Sequence, residues 1–396
     1  MKKLLAMMLC ITMVLALAAC GAEPAAPAAA PAAPAAAPAA PAAAPAAPAA
    51  APEAAATASG LPALTKDEIV VGAVFNVGAE GASEGFAYAL YQGLEALKAT
   101  GIKVLYATDI PESSECETAI ENLIAQGCNV IYTLSFGYGE YTANMAEKYP
   151  NVYFNHYAGS IQKTNMATFF PKNFQSEYLC GIVAGAKTET NQIGYLCSFP
   201  IPECVRMVNA FTLGAQSVNP DVQVNVKWTN SWFDPAVESA TAKELVNSGS
   251  DVIIAYLDSL NAAIGGAELG AYGFGYATSG IEKLPDNFLT NPACDWETFF
   301  QNDVQRVIDG TWVGADQWLG MAEGLVSLGE VYNSSEETLA LVEAAKKGFL
   351  DGSLNIWEQE LVDNQGTVQS PAGETPSDAD LLSMMYFLKG VNGTVG

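Results

Sequence analysis

NSWFDPAVESATAKELVNSGSDVIIAYLDS, residues 230–259, is the stretch from which the fold can be read. Asp234 stands where a carboxylate caps a helix, and Pro235 takes the first helical position, where its missing N–H costs nothing. The spacing predicts a helix facing inward through Val237, Thr241 and Leu245, stopped at Gly249. Asp251 to Leu257 then forms a near-continuous apolar run, the pattern of a strand covered on both faces. The unit reads loop, helix, parallel strand, loop. Ligands of open α/β sheets collect at the carboxyl ends of the strands, so Trp232 and Asp258 are expected beside a ligand. An aromatic plane with a carboxylate suits a flat molecule carrying hydrogen-bond donors.

The same alternation extends both ways. Upstream, strands are expected at Glu68–Phe75, Val104–Ala107, Asn129–Leu134 and Val152–Asn155. Between them fall a helix with Phe86, Leu90, Leu94 and Leu97 inward, one carrying Ile120, Leu123 and Ile124, and one near Tyr141 to Lys148. Ser114 and Glu117 have capping-box spacing before the second of these. A second series starts near Ser176: a helix through Leu179 and Val183, the strand Ile193–Cys197, a helix from Glu203 to about Ser217, and Val222, Val224, Val226 and Trp228 in alternation. After the opening unit come a helix near Ala262 to Leu269 and a strand near Tyr272 to Tyr276. Two βα series of similar length predict an α/β protein of two Rossmann-like lobes with a cleft between them. Later, Trp312 to Trp318 reads as a strand, Glu336 to Leu350 as an amphipathic helix with Leu339, Val342 and Phe349, and Asp380 to Lys389 as a closing helix.

The first residues have another character. Lys2 and Lys3 precede the apolar run Leu4 to Ala19, the length of a signal h-region and short for a membrane span. Leu17, Ala18, Ala19, Cys20 and Gly21 resemble a bacterial lipobox, so residues 1–19 are expected to be removed and Cys20 lipidated, anchoring the chain without spanning the membrane. Residues 20–64 are then a tether of Ala and Pro, able at roughly 3.1 Å per residue to reach on the order of 100 Å.

Composition narrows the function. A formal net charge of −26 argues against nucleic acid or an anionic membrane surface as a partner. Of eight cysteines, Cys116, Cys128, Cys180, Cys197, Cys204 and Cys294 fall in the folded part without CxxC spacing, and buried thiols are the expected role for most. The Gly-rich turn at Gly72, Gly78, Gly81 and Gly85 lacks G-x-G-x-x-G spacing, and no acidic residue stands clearly at the end of the second strand, which disfavours a nicotinamide enzyme. The single histidine, His156, cannot supply a multi-histidine metal site, and there is no G-x-S-x-G elbow. His156 reads as structural or as part of a binding site. No catalytic residue, metal or cofactor is assigned.

Several longer motifs carry a resemblance. SFPIPE at 198–203, NAFTLG at 209–214, SVNP at 217–220, TLSFGY at 133–138, NMAT at 165–168, WFDP at 232–235 and GFGY at 273–276 are similar to the basic membrane protein family of ABC-transporter substrate-binding lipoproteins, over essentially residues 66 to 396. The resemblance implies a type I periplasmic-binding-protein fold, two lobes joined by a three-crossing hinge, delivering a ligand to a permease with its ATPase. The lobes are expected at 65–174 with about 292–318, and at 175–291 with about 319–396, in a monomer on the extracytoplasmic face of the membrane. Family ligands are purine nucleosides, purine bases or riboflavin; a sensory co-receptor using the same lobes is the alternative.

Carried over residue by residue, the ligand would meet Phe86, Phe136, Trp232 and Trp296 as stacking rings and Asp258 as an acceptor. Phe75, Asn76, Tyr138 and Tyr276, at or just past strand ends, complete the expected site, with Asn155 a further strand-end residue. For Phe86 core packing competes with ligand contact, and at Asn76, Tyr138, Asn155 and Tyr276 loop capping does. Nucleoside-binding relatives carry a GxDSDQ-like turn where this chain has Tyr276, Ala277, Thr278 and Ser279, and a lysine near residue 294 that is absent here. Both losses favour a free nucleobase or related heterocycle over a nucleoside.

Overall fold

The computed structural model describes residues 60–78 and 85–395. The signal segment, the lipobox cysteine and most of the tether lie outside the described residues, as does the middle of the Gly-rich turn.

The first series builds β1 (Val70–Val74), α1 (Gly85–Ala99), β2 (Lys103–Ala107), α2 (Glu115–Ala125), β3 (Val130–Thr133), α3 (Gly139–Lys148), β4 (Tyr153–Tyr157) and β5 (Met166–Pro171). The second builds α4 (Phe174–Lys187), β6 (Gln192–Cys197), α5 (Pro202–Val218), β7 (Gln223–Trp228), α6 (Pro235–Asn247), β8 (Val252–Tyr256), α7 (Asn261–Ala267) and β9 (Tyr272–Gly273). The rest of the chain adds β10 (Pro292–Cys294), α8 (Trp296–Ile308), β11 (Asp316–Leu319), β12 (Val326–Leu328), α9 (Glu336–Asp351), β13 (Leu361–Val362), β14 (Val368–Ser370), α10 (Asp378–Leu382) and β15 (Val391–Asn392).

Two parallel sheets result. One has the order β11-β5-β4-β3-β1-β2 and the other β15-β7-β6-β8-β9. The chain passes between them three times, after β5, between β10 and α8, and between β11 and β12. The second and third passages are stitched together by β10 and β12, which pair antiparallel through Ala293 and Ser327.

The apolar runs become central strands because both faces are covered. Val252, Ile253, Ile254, Ala255 and Tyr256 are all buried, as are Val130, Ile131, Tyr132 and Thr133. Asp234 caps α6, its carboxylate accepting from the Val237 N–H at 3.1 Å, with Pro235 next. The inward face of that helix, however, is Glu238, Ala242 and Leu245, while Val237 is exposed. The expected face is thus turned by one residue, because buried Glu238 has polar partners that hold it inside.

Other local expectations are corrected likewise. Ser114 is itself helical and caps nothing with its side chain; Ser113 Oγ instead accepts from the Glu115 N–H at 3.3 Å. Leu339 is exposed, and α9 buries Thr338, Val342 and Phe349. The closing helix ends at Leu382, after which the chain runs back to the sheet, Asn209 of α5 accepting from the Leu388 N–H and donating to the Tyr386 carbonyl. Among the six cysteines of the described region all are free thiols, and all but Cys294 are buried.

Candidate functional site

The carboxyl ends of the strands in both sheets converge on one cleft, as ligand sites of open α/β sheets do. Its lining is Asn76, Phe86, Leu134, Ser135, Phe136, Tyr157, Glu203, Trp232, Tyr256, Leu257, Asp258 and Tyr276. Asn76 follows β1, Phe86 opens α1, residues 134–136 follow β3, and Tyr157 ends β4. From the other sheet come Glu203 in the first turn of α5, Trp232 after β7, Tyr256 to Asp258 at the end of β8, and Tyr276 after β9.

The rings are held by one another. Phe86 packs on Tyr157 with centroids 4.8 Å apart, Tyr256 meets Tyr276 edge-on at 4.7 Å, and Trp232 is braced by Phe199 at 5.8 Å. Such pairs add about 0.5–1.5 kcal/mol each beyond the area they bury, so the ring positions are set before a ligand arrives.

Of the residues expected at the site, Asn76, Phe86, Phe136, Trp232, Asp258 and Tyr276 lie on the lining; Phe75, Tyr138 and Trp296 do not. Phe75 turns into the core opposite Asn76, as alternation along an extended chain requires. Tyr138 is fully buried and donates its hydroxyl to the Ile110 carbonyl at 2.5 Å. Trp296 stands one layer back, edge-on to Phe86 at 6.1 Å. Asn155 is buried in the core, where its Oδ1 accepts from Trp312 Nε1. His156 is also structural: it is buried, its Nδ1 lies 3.0 Å from Thr133 Oγ1, and burial lowers its pKa to about 4, leaving the ring neutral.

The lining also contains residues that the sequence reading missed. Tyr157 lies two residues past the expected end of its strand. Tyr256 was absorbed into an apolar run, although its position two residues before Asp258 puts both on one side of the strand. Glu203 enters the sequence reading only as the start of a helix and the last residue of SFPIPE.

The loop geometry rests on two carboxylates, buried Glu238 and exposed Glu112. Glu238 accepts from the Asp234 N–H at 2.9 Å and from the Ser259 hydroxyl, tying the Trp232 loop to the Asp258 loop. The Asp258 N–H donates to the Trp232 carbonyl at 3.0 Å. Across the cavity, Glu112 accepts from Ser135 Oγ at 2.6 Å and from the Gly137 N–H at 2.7 Å, fixing the Phe136 turn.

The two sides touch at the rim. Gly85, in the left-handed region at φ +86°, donates its N–H to Thr278 Oγ1 at 3.0 Å and lies directly against the Asp258 carbonyl. The lobes are therefore in the closed arrangement.

Electrostatically the cavity is acidic. Burial, then Glu238, Glu203 and Glu112, push Asp258 up to about 7, and its carboxylate has no hydrogen-bond partner among the described residues. Burial also raises Glu203, with Tyr256 and Arg206 pulling it back down. Among the described residues no lysine, arginine or histidine lines the cavity. Among the described residues no group of three or more His, Cys, Asp or Glu could hold a metal ion. The arrangement can sandwich a flat, uncharged or cationic molecule and accept its hydrogen bonds.

Residues 69–349 match the family described as Bmp, ABC transporter substrate-binding protein PnrA-like. A purine-binding protein of Brucella abortus is 34% identical to this chain, over 75% of this chain and 86% of its own length. A Haloferax volcanii protein, provisionally named an ABC transporter glucose-binding protein, is 33% identical over 73% of this chain and 71% of its own. The solved structure of an ABC transporter system solute-binding protein from Conexibacter woesei superposes with a TM-score of 0.61 at 17% identity, covering 72% of this chain and 98% of the other.

Proposed function

We propose, from the premise that this chain belongs to the PnrA-like ABC transporter substrate-binding proteins, that its solute is a purine nucleobase or a similar planar heterocycle. The observation carrying this reading is the cavity lining, which among the described residues holds rings from both sheets, the carboxyl groups of Glu203 and Asp258 and no basic side chain. Stacking rings gain most from a flat π-system, and Asp258 accepts from its N–H groups. The absence of a lining cation disfavours anionic solutes such as nucleotides. The purine-binding relative supports the same class.

Capture works by population shift. A ligand that contacts both sets of loops only when they meet favours the closed state by its differential affinity. The closed form is then handed to the permease and ATPase, with the chain held on the extracytoplasmic face by a lipid on Cys20.

A thermal-shift screen of residues 60–396 against purine bases, nucleosides, flavins and sugars tests the assignment. A ligand at a hundred times its Kd adds about 2.7 kcal/mol, worth a shift of several degrees. Stabilisation by purine bases, abolished by Trp232→Ala, is the expected result. Silence to every planar heterocycle, or a response to glucose alone, would overturn it.

A further inference from the structure

Glu203 is more than a rim acid. It lines the cavity from the first turn of α5, and its Oε1 accepts from the Tyr256 hydroxyl at 2.6 Å. Its second oxygen has no hydrogen-bond partner among the described residues. The Tyr256 hydroxyl in turn accepts from Asn173 Nδ2 at 3.3 Å, and Asn173 Oδ1 accepts from the Cys294 thiol at 3.4 Å. Asn173 sits on the first passage between the sheets, directly before α4, and Cys294 on the second.

One turn along α5, the buried Arg206 donates to the Leu381 carbonyl at 2.8 Å. Its guanidinium carbon stands 5.8 Å from the Phe170 ring of β5 and 5.3 Å from the Trp318 ring of β11. The helix turn carrying Glu203 is therefore locked to strands flanking the first and third passages. Glu203 is held in one orientation from behind while its free oxygen stays with the cavity, the form of a preorganised acceptor.

We propose that Glu203 is a specificity-determining residue that accepts an N–H from the bound heterocycle at a different edge from the one Asp258 serves. The proposal rests on the planar-heterocycle reading and sharpens it. Two acceptors on separate elements, α5 and the end of β8, demand a molecule with N–H donors on two edges. A free purine base meets that demand, with donors on its six-membered ring edge and its imidazole edge. A nucleoside does not, because its ribose replaces the imidazole N–H.

Adenine and 9-methyladenine, titrated calorimetrically into the wild-type chain, Glu203→Gln and Tyr256→Phe, decide the matter. Wild type should bind adenine at least tenfold more tightly than the methylated base. Glu203→Gln should lose about tenfold for adenine and little for 9-methyladenine, so that the discrimination collapses. Tyr256→Phe keeps the ring but frees Glu203 to turn, and should show a smaller loss of the same kind. Discrimination that survives Glu203→Gln would mean that the methyl group is excluded by shape, overturning the role of Glu203 while leaving the purine reading intact. Failure of wild type to bind either base would overturn both.

Discussion

Replacing Gly85 by alanine should hold the binding lobes apart. A Cβ at this position would lie 2.3 Å from the Asp258 carbonyl oxygen and 3.0 Å from its carbon, and the first of these is closer than atoms approach. The positive φ of +86° adds backbone strain for alanine to this clash. The clash exists only when the loops meet. Relieving it requires about 1 Å of separation, which also breaks the 3.0 Å hydrogen bond from the Gly85 N–H to Thr278. Losing that bond costs about 0.5–1.5 kcal/mol and the overpacking about 1–3 kcal/mol, with the middle of the combined range at about 3 kcal/mol against closure. Since closure is linked to binding, affinity should fall on the order of 100-fold. Calorimetric titration of the best ligand into Gly85→Ala, with small-angle scattering to follow compaction on ligand addition, reads both quantities. An alanine variant that binds and compacts like wild type would show that Gly85 and Asp258 do not meet in the bound state.

Two further outcomes follow from buried ionisable groups. Asp258, pushed up to about 7, gains its full acceptor strength only when ionised, so affinity for an N–H donor should rise from pH 6 to pH 8 and level off; Asp258→Asn should flatten the profile, and an unchanged pH dependence in that variant would assign it elsewhere. Glu177, fully buried and donated to by Tyr195, is raised by burial to about 8, so the folded chain holds this proton more tightly than the unfolded one and stability falls as pH rises between 4.5 and 8. His156, lowered to about 4, acts in the opposite sense between 4 and 6.5, while Asp258, raised to about 7, acts with Glu177 up to that pH. The share of Glu177 in the loss from pH 6.5 to 8 is about 2 kcal/mol, at about 1.36 kcal/mol per pH step. Denaturant melts of wild type and Glu177→Gln at the two values measure it; equal losses in both proteins would exclude Glu177 as the source.

The strands of this protein were readable because burial on both faces leaves uninterrupted runs such as VIIAY, and helix ends because Asp234, Pro235 and Gly249 have few other reasons to stand where they do. The inward face of α6 was misread because Glu238 breaks the apolar pattern, and only its hydrogen bonds to distant loops explain a charge inside. The cavity followed the same divide. Trp232 and Asp258 could be picked out as an aromatic and an acid in loops after strands. Glu203 and Tyr256 become site residues through a contact between elements more than fifty residues apart, which no local pattern records. Phe75 and Trp296 share the residue type of the lining rings, but strand alternation turns one into the core and helix packing puts the other a layer behind.

The last strand has a consequence for how the molecule is made. Val391 and Asn392 form the edge of the second sheet beside β7, and Asn209, in the middle of α5, is satisfied by Tyr386 and Leu388. A nascent chain that has emerged only through residue 380 holds every ring of the cavity, yet β7 still has an open edge and Asn209 lacks its partners. Closure of that sheet is therefore tied to synthesis of residues 386–392, whereas β11, already present by residue 380, can complete the sheet formed by β1 to β5 earlier. A prematurely terminated product would present an unpaired strand edge, a template for association with other chains.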